Sequence, residues 1–218
     1  RLGARAGEIE GLPVVQLRGT PIYGWHAVAK RTIDLLGASV LLLVFGWWIM
    51  LILAALIKLT GPGPALFKQE RMGLGGKPFL MWKLRSMRAD AEKETGPVWA
   101  TKDDSRRTAI GAFMRRTSLD ELPQLFNVLS GRMSLVGPRP ERPHFVTDFV
   151  KHVPAYMLRH DVKAGMTGWA QVNGLRGDTP VKKRLQYDLY YINNWSLRFD
   201  LFILLLTPFA GLVNRNAY

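Results

Sequence analysis

Two adjacent carboxylates, Asp120 and Glu121, closely follow the basic pair Arg115 and Arg116 in this sequence. Apolar residues recur at helical spacing just after them, which predicts that a helix begins near the carboxylates. The positive end of a helix favours phosphate, and the neighbouring cations favour an ionised carboxylate. Asp120 is therefore a candidate nucleophile toward a phosphoryl group.

Helix capping is the competing interpretation of the same residues. Ser118 and Glu121 have the spacing of a capping box, and acidic residues are favoured in any first turn. With Ser118 as the N-cap, however, Pro123 would be the fifth helical residue and would remove a backbone hydrogen bond. An N-cap at Leu119 or Asp120 places the proline in the tolerated first turn. The residues alone leave catalysis and capping equally open.

Arg139 is a further candidate for phosphate chemistry. Prolines on both sides restrict its backbone, which reduces the entropy lost when its guanidinium forks onto phosphate oxygens. A rigid surface turn with a solvated arginine is the alternative. Further along, residues 165–177 combine turn glycines with Trp169, Gln171 and Asn173, which can stack on a base and hydrogen-bond a sugar. An Asn-Gly turn beside a core tryptophan explains much of the same pattern.

The glycine-rich segment at residues 73–77 looks at first like a phosphate-binding loop. The Walker pattern needs a glycine and a serine or threonine at positions that hold Arg71 and Pro78 here, so that interpretation fails. A hairpin turn between strands around Phe67 and Phe79 is the better prediction.

The elements that must position these residues include one long apolar run, residues 35–59, in which Lys58 is the only charge. As a helix, at ~1.5 Å per residue, it is long enough to cross the hydrocarbon core of a bilayer. Both flanks are basic, whereas a simple span carries its excess positive charge on one side. A helix that enters, bends and returns explains these charges, and a one-pass span is the alternative. A second apolar segment, residues 199–213, contains Pro208 and is too short to span, so we expect it at the interface or packed on the domain.

Composition limits the class of protein. The 218 residues include 30 Lys and Arg against 17 Asp and Glu, a formal net charge of +13, and no cysteine. Such a charge attracts phosphate-bearing partners: lipid headgroups, nucleotides or nucleic acid. Nucleic acid is disfavoured because aromatic residues do not interleave with a basic stripe and no recognition motif is present. A non-catalytic membrane scaffold that binds anionic lipid is the main alternative to an enzyme, although it gives no reason for the two carboxylates.

Six motifs in order make the sequence resemble the bacterial sugar transferases, the monotopic phosphoglycosyl transferases that move a sugar 1-phosphate onto a polyprenyl phosphate. The resemblance runs from about Lys30 to the C-terminus. Its motifs are Lys30-Arg-Thr-Ile-Asp34, Phe67-Lys-Gln-Glu-Arg71, Lys83-Leu-Arg-Ser-Met87, Ser118-Leu-Asp-Glu-Leu122, Gly137-Pro-Arg-Pro140 and Gly168-Trp-Ala-Gln-Val-Asn-Gly174. The ending, residues 213–218, resembles long-form members that transfer glucose 1-phosphate to undecaprenyl phosphate.

By this resemblance the fold is α+β and mainly helical: a membrane-embedded monotopic domain with one re-entrant N-terminal helix, a short β-hairpin and amphipathic interfacial helices. We expect residues 1–24 to be the tail of a missing upstream domain with its linker, through which oligomers could form. Residues 25–60 are the expected membrane-inserted helix, and residues 61–218 a catalytic domain on the cytoplasmic side of the bacterial inner membrane. One departure is that the family's Ser-Pro pair at the bend is absent, which favours a straight helix. Because both flanks are basic, we expect a returning helix with its turn near residues 46–48.

The resemblance also implies a reaction. Asp120 attacks the phosphate next to the sugar of a UDP-sugar, expels UMP, and passes the sugar phosphate to undecaprenyl phosphate, which starts exopolysaccharide, capsule or O-antigen synthesis. Glu121, with Asp120, is expected to hold Mg²⁺. Trp169, Gln171 and Asn173 form the expected nucleotide-binding segment, and Asp200 matches a further acidic position. The implied phosphate-binding residues are Lys83, Arg85, Arg115, Arg139 and Arg176. Glucose is the expected sugar, with galactose or an N-acetylated sugar left open.

Overall fold

A computed structural model describes residues 4–9, 12–17, 20–88, 90–91, 104–177 and 179–213. Within these ranges the strands are β1 (Ala4–Ile9), β2 (Leu12–Leu17), β3 (Leu66–Met72), β4 (Pro78–Leu84), β5 (Ser134–Val136) and β6 (Gly165–Thr167). The α-helices are α1 (Trp25–Leu41), α2 (Trp47–Leu59), α3 (Ala109–Thr117), α4 (Gln124–Leu129), α5 (Pro143–His152), α6 (Trp169–Val172), α7 (Val181–Asn193) and α8 (Leu197–Val213). This confirms the prediction of a mainly helical α+β fold.

The long apolar run forms one helix, Trp25–Leu59, which by length and composition could cross a membrane. A π-helical turn, Leu42–Gly46, separates α1 from α2 close to the expected position of the bend. The indole N–H groups of Trp47 and Trp48 donate to the carbonyls of Leu43 and Val44, at 3.0 and 2.9 Å. These two indoles thus give hydrogen bonds to backbone carbonyls within the irregular turn.

One stripe of this helix packs on the rest of the chain, and the opposite face is exposed. Ala38 in α1 and Leu53 and Ile57 in α2 are buried. Leu53 and Ile57 pack with Leu84 and Met114 of the remaining domain. The exposed side carries large apolar residues, among them Leu36, Val40, Leu43, Val44, Trp47, Trp48, Leu51 and Ile52. Both halves of the helix therefore contact the same domain.

The predicted hairpin is confirmed. Strands β3 and β4 pair antiparallel, with Phe67 opposite Lys83 and Arg71 opposite Phe79. The turn contains Gly75 and Gly76 at φ of 64° and 69°, a region that glycine adopts without strain. Because Lys83 lies near the end of β4, the hairpin delivers its side chain to the segment that precedes α4.

A second short pair, β5 and β6, runs parallel. Close packing holds it together, because a Cβ on Gly137, Gly165 or Gly168 would collide with neighbouring backbone. The chain leaves β5 as an irregular loop that contains Arg139. Helix α8 covers this pair with buried Ile203, while Leu201, Phe202, Leu205 and Phe209 remain exposed. The second apolar segment thus packs on the domain through one face, as one of its two expected placements required.

The start of α4 differs from the sequence prediction. Leu119–Glu121 forms a single 3-10 turn, and the α-helix begins only at Gln124, after Pro123. Ser118 has φ of 57° and closes α3 in a left-handed conformation, so its side chain caps no helix. The capping-box interpretation is therefore wrong, because the proline excludes a regular helix before it and the Glu121 side chain has other partners. Residues 89–107 are a polar stretch whose composition predicts a mobile surface loop or a frayed helix, and most of them lie outside the described residues.

Candidate active site

Glu121 is held by two basic side chains from distant parts of the chain. Lys83 Nζ lies 2.9 Å from Glu121 Oε1, and Arg139 Nη2 lies 2.6 Å from the same oxygen. Arg139 Nη1 also donates to Glu121 Oε2 at 3.3 Å. Burial alone would raise the pKa of Glu121, but the charges and hydrogen bonds of Arg139 and Lys83 lower it well below its usual range. Glu121 is thus an ionised carboxylate between two cations.

Asp120 has a different environment from its neighbour. Only 5% of its surface is exposed, and no group in the described ranges donates a hydrogen bond to its carboxylate. Burial raises the pKa of Asp120, the charge of Lys83 lowers it, and the charge of Glu121 raises it again. A carboxylate that has lost its water shell and still faces cations is suited to attack an electrophilic phosphorus.

Helix α3 brings a third cation to the carboxylates. Arg115, in its last turn, donates from Nε to Ser86 Oγ at 2.9 Å. A Cβ on Gly111 would collide with the Ser86 backbone, so the glycine allows α3 to lie directly on the chain after β4. Burial lowers the pKa of Arg115, and the charge of Asp120 raises it. Arg115 therefore interacts with the candidate nucleophile while Ser86 fixes its direction.

Arg176 approaches from the loop after α6. Burial lowers the pKa of Arg176, the charge of Arg139 lowers it further, and the charge of Glu121 raises it. Its Nε is buried and has no hydrogen-bond partner among the described residues. The structure thus gathers four of the five predicted phosphate-binding residues around the carboxylate pair: Lys83, Arg115, Arg139 and Arg176. A group with several acidic oxygens suits such a set of donors.

Arg85, the fifth, has other partners. Its guanidinium donates to the carbonyls of Ile57 and Gly61, at 3.2 and 3.0 Å, and to that of Pro62. These carbonyls lie at and just beyond the end of α2, so Arg85 attaches the apolar helix to the hairpin. Its role in binding phosphate stays a prediction.

Asp200 is fully buried beneath α1. Its Oδ2 lies 2.7 Å from Lys30 Nζ and accepts from Trp195 Nε1 at 3.2 Å, and its Oδ1 accepts from Tyr191 Oη at 2.7 Å. Lys30 also donates to Val136 O at 2.9 Å, at the end of β5. Through Lys30, Asp200 therefore attaches the long helix to the rest of the domain.

The expected nucleotide-binding segment is only partly accessible. Trp169 packs within an aromatic cluster, with its ring centroid 5.1 Å from that of Phe199. Gln171 Nε2 donates to Met166 O at 3.0 Å, while its buried Oε1 has no hydrogen-bond partner in the part of the chain that the structure describes. Asn173 is exposed and donates to Trp169 O at 2.7 Å. Core packing explains Trp169, and contact with a base and sugar stays a prediction for all three.

The donor set can be compared with what Mg²⁺ requires. Within the described ranges no three His, Asp or Glu side chains converge. Mg²⁺ is often held by one or two carboxylates together with substrate phosphates, and Asp120 and Glu121 supply two. Both Glu121 oxygens already accept from cations, whereas Asp120 accepts no hydrogen bond from the described residues. The residues fit a metal ion that arrives with a phosphate-bearing substrate.

Three residues near Arg139 were missed by the sequence analysis. Arg71 donates to Pro140 O at 3.1 Å, and burial lowers the pKa of Arg71 to about 10. Arg159 donates to Arg139 O at 2.8 Å and pairs with buried Asp188. Asp188 lies at helical spacing among Leu185, Tyr191 and Ile192 on the buried face of α7, and a charged residue at such a position is the sequence signal that could have drawn attention to this pair.

Fold and site together define a class of protein, an α+β domain that gathers anion-binding residues beside a long apolar helix. The chain belongs to the bacterial sugar transferase family, whose profile matches residues 25–214.

Several characterised proteins are similar to this chain. The UDP-glucose:undecaprenyl-phosphate glucose-1-phosphate transferase of Escherichia coli (strain K12) is 46% identical over 221 residues, which cover 100% of this chain and 47% of that protein. The protein of the same description from Xanthomonas campestris pv. campestris is 48% identical over 223 residues, covering 100% of this chain and 46% of the relative. The chain spans about half the length of these two relatives.

A third relative has a different sugar in its description. The UDP-N-acetylgalactosamine-undecaprenyl-phosphate N-acetylgalactosaminephosphotransferase of Aeromonas hydrophila is 44% identical over 190 residues, covering 86% of this chain and 44% of that protein. Overall similarity alone therefore does not separate the two sugars.

Proposed function

We propose that this chain transfers a sugar 1-phosphate from a UDP-sugar to undecaprenyl phosphate and releases UMP. The observation that carries the proposal is the buried Asp120 beside Glu121, with cations from three separate elements directed at the pair. The descriptions of the Escherichia coli and Xanthomonas relatives support glucose as the sugar. The product would begin the assembly of an exopolysaccharide, capsule or O-antigen repeat unit.

Two displacements at one carboxylate account for the transfer. Asp120 attacks the phosphorus next to the sugar, the bond to the bridging oxygen breaks, and UMP leaves with that oxygen. A phosphate oxygen of undecaprenyl phosphate then attacks the sugar-phosphoryl aspartate, forms the lipid diphosphate and frees Asp120. Lys83, Arg115 and Arg139 would bind the phosphate oxygens and stabilise the charge that develops on them.

Asp120 and Glu121 would hold Mg²⁺, which when bound neutralises diphosphate charge and assists the leaving group. Glu121 accepts hydrogen bonds from Lys83 and Arg139 and keeps both in place. An incoming diphosphate would compete with Glu121 for these donors, so the two cations would be pre-positioned for substrate.

The long helix would enter the cytoplasmic leaflet of the inner membrane and return. Lys30 near one end bonds Asp200 and Val136 O, and Arg85 bonds the carbonyls at the other end. A single domain attached to both ends of an apolar helix is hard to reconcile with a simple span, which would separate those ends across the bilayer. The π-helical turn is the position at which the helix would change direction.

A panel of UDP-sugars offered with undecaprenyl phosphate and Mg²⁺ tests the proposed reaction. We expect UMP release with UDP-glucose at the highest rate. Asp120→Asn should fold and lose turnover by at least ~10³-fold, because an amide cannot form the acyl phosphate. A sugar-phosphate adduct on wild-type protein, absent from the variant, would identify the intermediate by intact mass. Near-normal turnover by purified Asp120→Asn would exclude the covalent mechanism. If the wild-type chain bound anionic lipid but released no UMP, the alternative of a non-catalytic membrane scaffold would be correct.

A further inference from the structure

The loop at residues 138–141, which carries Arg139, is bonded to the domain at every carbonyl. Two of the four bonds are made by main-chain amides. Pro138 O accepts from the Gly165 amide at 2.9 Å, and Glu141 O accepts from the Met72 amide at 2.8 Å. These bonds attach the two ends of the loop to β6 and β3.

The two carbonyls in the middle of the loop accept from arginine side chains. Arg159 Nη2 donates to Arg139 O at 2.8 Å, and Arg71 Nη1 donates to Pro140 O at 3.1 Å. Irregular backbone has few internal partners, so its carbonyls depend on such donors when water is excluded. The position of Arg139 therefore depends on Arg159, which bonds the main-chain carbonyl of Arg139.

Arg159 is itself fixed by further bonds. Its Nε and Nη2 donate to Asp188 Oδ2 at 3.0 and 2.8 Å, and its Nη1 donates to Tyr156 Oη at 2.9 Å. Arg159 is 5% exposed and Asp188 2% exposed. All three nitrogens of the guanidinium are thus engaged, and the planar fork points one N–H at Arg139 O.

We propose that Arg159, oriented by Asp188, is a positioning residue for Arg139: it fixes the main chain from which the Arg139 guanidinium reaches Glu121 and the substrate diphosphate. This inference rests on the proposed function. Stability alone is a poor reason for such a pair, since well-packed apolar residues often replace a buried ion pair without loss of stability. What apolar residues cannot supply is a directed donor on Arg139 O.

A double-mutant cycle between Arg159→Lys and Arg139→Lys tests the proposal. Lysine keeps the charge at position 159 but lacks the fork, so it cannot bond Asp188, Tyr156 and Arg139 O together. Misplacing a substrate-binding group by about 1 Å can cost ~10²-fold in rate, so we expect Arg159→Lys to lower kcat/KM by about 10- to 100-fold. In the Arg139→Lys background the further loss should be less than about threefold, because the fork of Arg139 is already absent.

Arg31→Lys is the matched control. Arg31 also donates to two main-chain carbonyls, those of Val128 and Leu129 at 2.6 and 2.7 Å, at the end of α4 away from Arg139. Its effect should be the same in both Arg139 backgrounds. If Arg159→Lys also had equal effects in both backgrounds, Arg159 would be merely structural and the proposal would be overturned.

Hydrogen exchange of the full chain in lipid nanodiscs gives a readout that does not depend on activity. The Gly165 and Met72 amides donate to the two ends of this loop, and we expect Arg159→Lys to speed their exchange by at least tenfold, with α4 unchanged. Unchanged exchange of these two amides would refute the positioning role. If Arg159→Lys does not fold, Tyr156→Phe removes one partner of Arg159 and should give a smaller change of the same kind, and no change would again refute it. A wild-type chain that protects the loop but releases no UMP would refute only the proposed function.

Discussion

Asp120 and Glu121 are neighbours in sequence, yet the pKa values of their carboxyl groups are shifted in opposite directions. Burial raises the pKa of Asp120, which has no hydrogen-bond donor among the described residues. The pKa of Glu121 is lowered well below its usual range, because Arg139 and Lys83 outweigh its burial. Two carboxylates with separated environments can take separate roles, here nucleophile and organiser of the cations.

Glu121→Gln should therefore reduce activity through the cations as well as through Mg²⁺. The amide keeps the shape of the side chain but removes the charge that holds Lys83 and Arg139. We expect kcat to fall by at least ~10²-fold and the Mg²⁺ concentration needed for half-maximal rate to rise. Magnesium titrations of UMP release measure both. A variant with normal turnover and an unchanged magnesium requirement would show that Glu121 is only structural.

The stability of the same variant should depend on pH. Because the folded-state pKa of Glu121 is depressed, its contribution to stability is fully present above the unfolded value of about 4.3 and disappears only as pH falls through the folded value. The melting temperature of wild type should thus exceed that of Glu121→Gln at neutral pH, and the difference should shrink only under strongly acidic conditions. Thermal scans at several pH values check this.

At the scale of elements, side chains attach the apolar helix to the hairpin and to β5. Arg85 bonds the carbonyls that follow α2, and Lys30 bonds Val136 O and Asp200. The ends of a helix leave carbonyls unsatisfied, and these arginine bonds meet that need at the point where the chain turns from α2 toward β3. The elements that position the candidate active site are therefore also the elements that hold the apolar helix.

Arg85→Met distinguishes attachment of the helix from phosphate binding. Methionine retains the stem but loses all three carbonyl bonds, so we expect the free energy of unfolding to fall by about 1–3 kcal/mol. The KM for UDP-sugar should stay within about twofold, since the donors of Arg85 face the end of α2. Arg88→Met, at an exposed neighbouring arginine, is the control. A large rise in KM with unchanged stability would support the phosphate-binding prediction instead.

At the scale of the whole molecule, the apolar helix, about 50 Å long at ~1.5 Å per residue, contacts one domain through both halves. The chain also carries a net charge of +13, which favours a membrane surface with anionic lipid. The two features agree with a domain that sits on one side of the bilayer with its helix inserted from that side.

Single cysteines at the two ends of the helix test this orientation. His26 is exposed before the apolar run, and Pro64 is exposed after it. Pro64 is preferable to Gly61, whose φ of 147° would strain a cysteine. The sequence has no native thiol, so labelling is unambiguous. In intact cells an impermeant reagent should label neither position, and both should react after lysis. Labelling of either from outside would exclude the re-entrant arrangement.

The amino-acid sequence by itself determined the family, the hairpin, the carboxylate pair and most of the cations around it. Ordered motifs carry the family, and local spacing carries the hairpin, because turn glycines and alternating residues act over a few positions. Asp120 could be predicted as a site residue because basic residues precede it closely, and Arg139 because prolines on both sides restrict its backbone. Local spacing gave a wrong prediction at Ser118 and Glu121. These residues have the spacing of a capping box, but the segment between them forms a 3-10 turn and not a regular α-helix.

Only the tertiary structure decided which charges meet. Glu121 binds Lys83 and Arg139, and Arg159 binds Asp188. The partners are far apart in the sequence, and neither helical nor strand periodicity predicts that they meet. The tertiary structure also showed that Arg85 bonds the carbonyls at the end of α2. In the long helix it showed a π-helical turn with two indole donors, in a run that lacks the Ser-Pro pair of the family it resembles. The physical reason is that a buried polar group takes whichever partner packing brings within hydrogen-bond reach, and packing is a property of the folded chain as a whole.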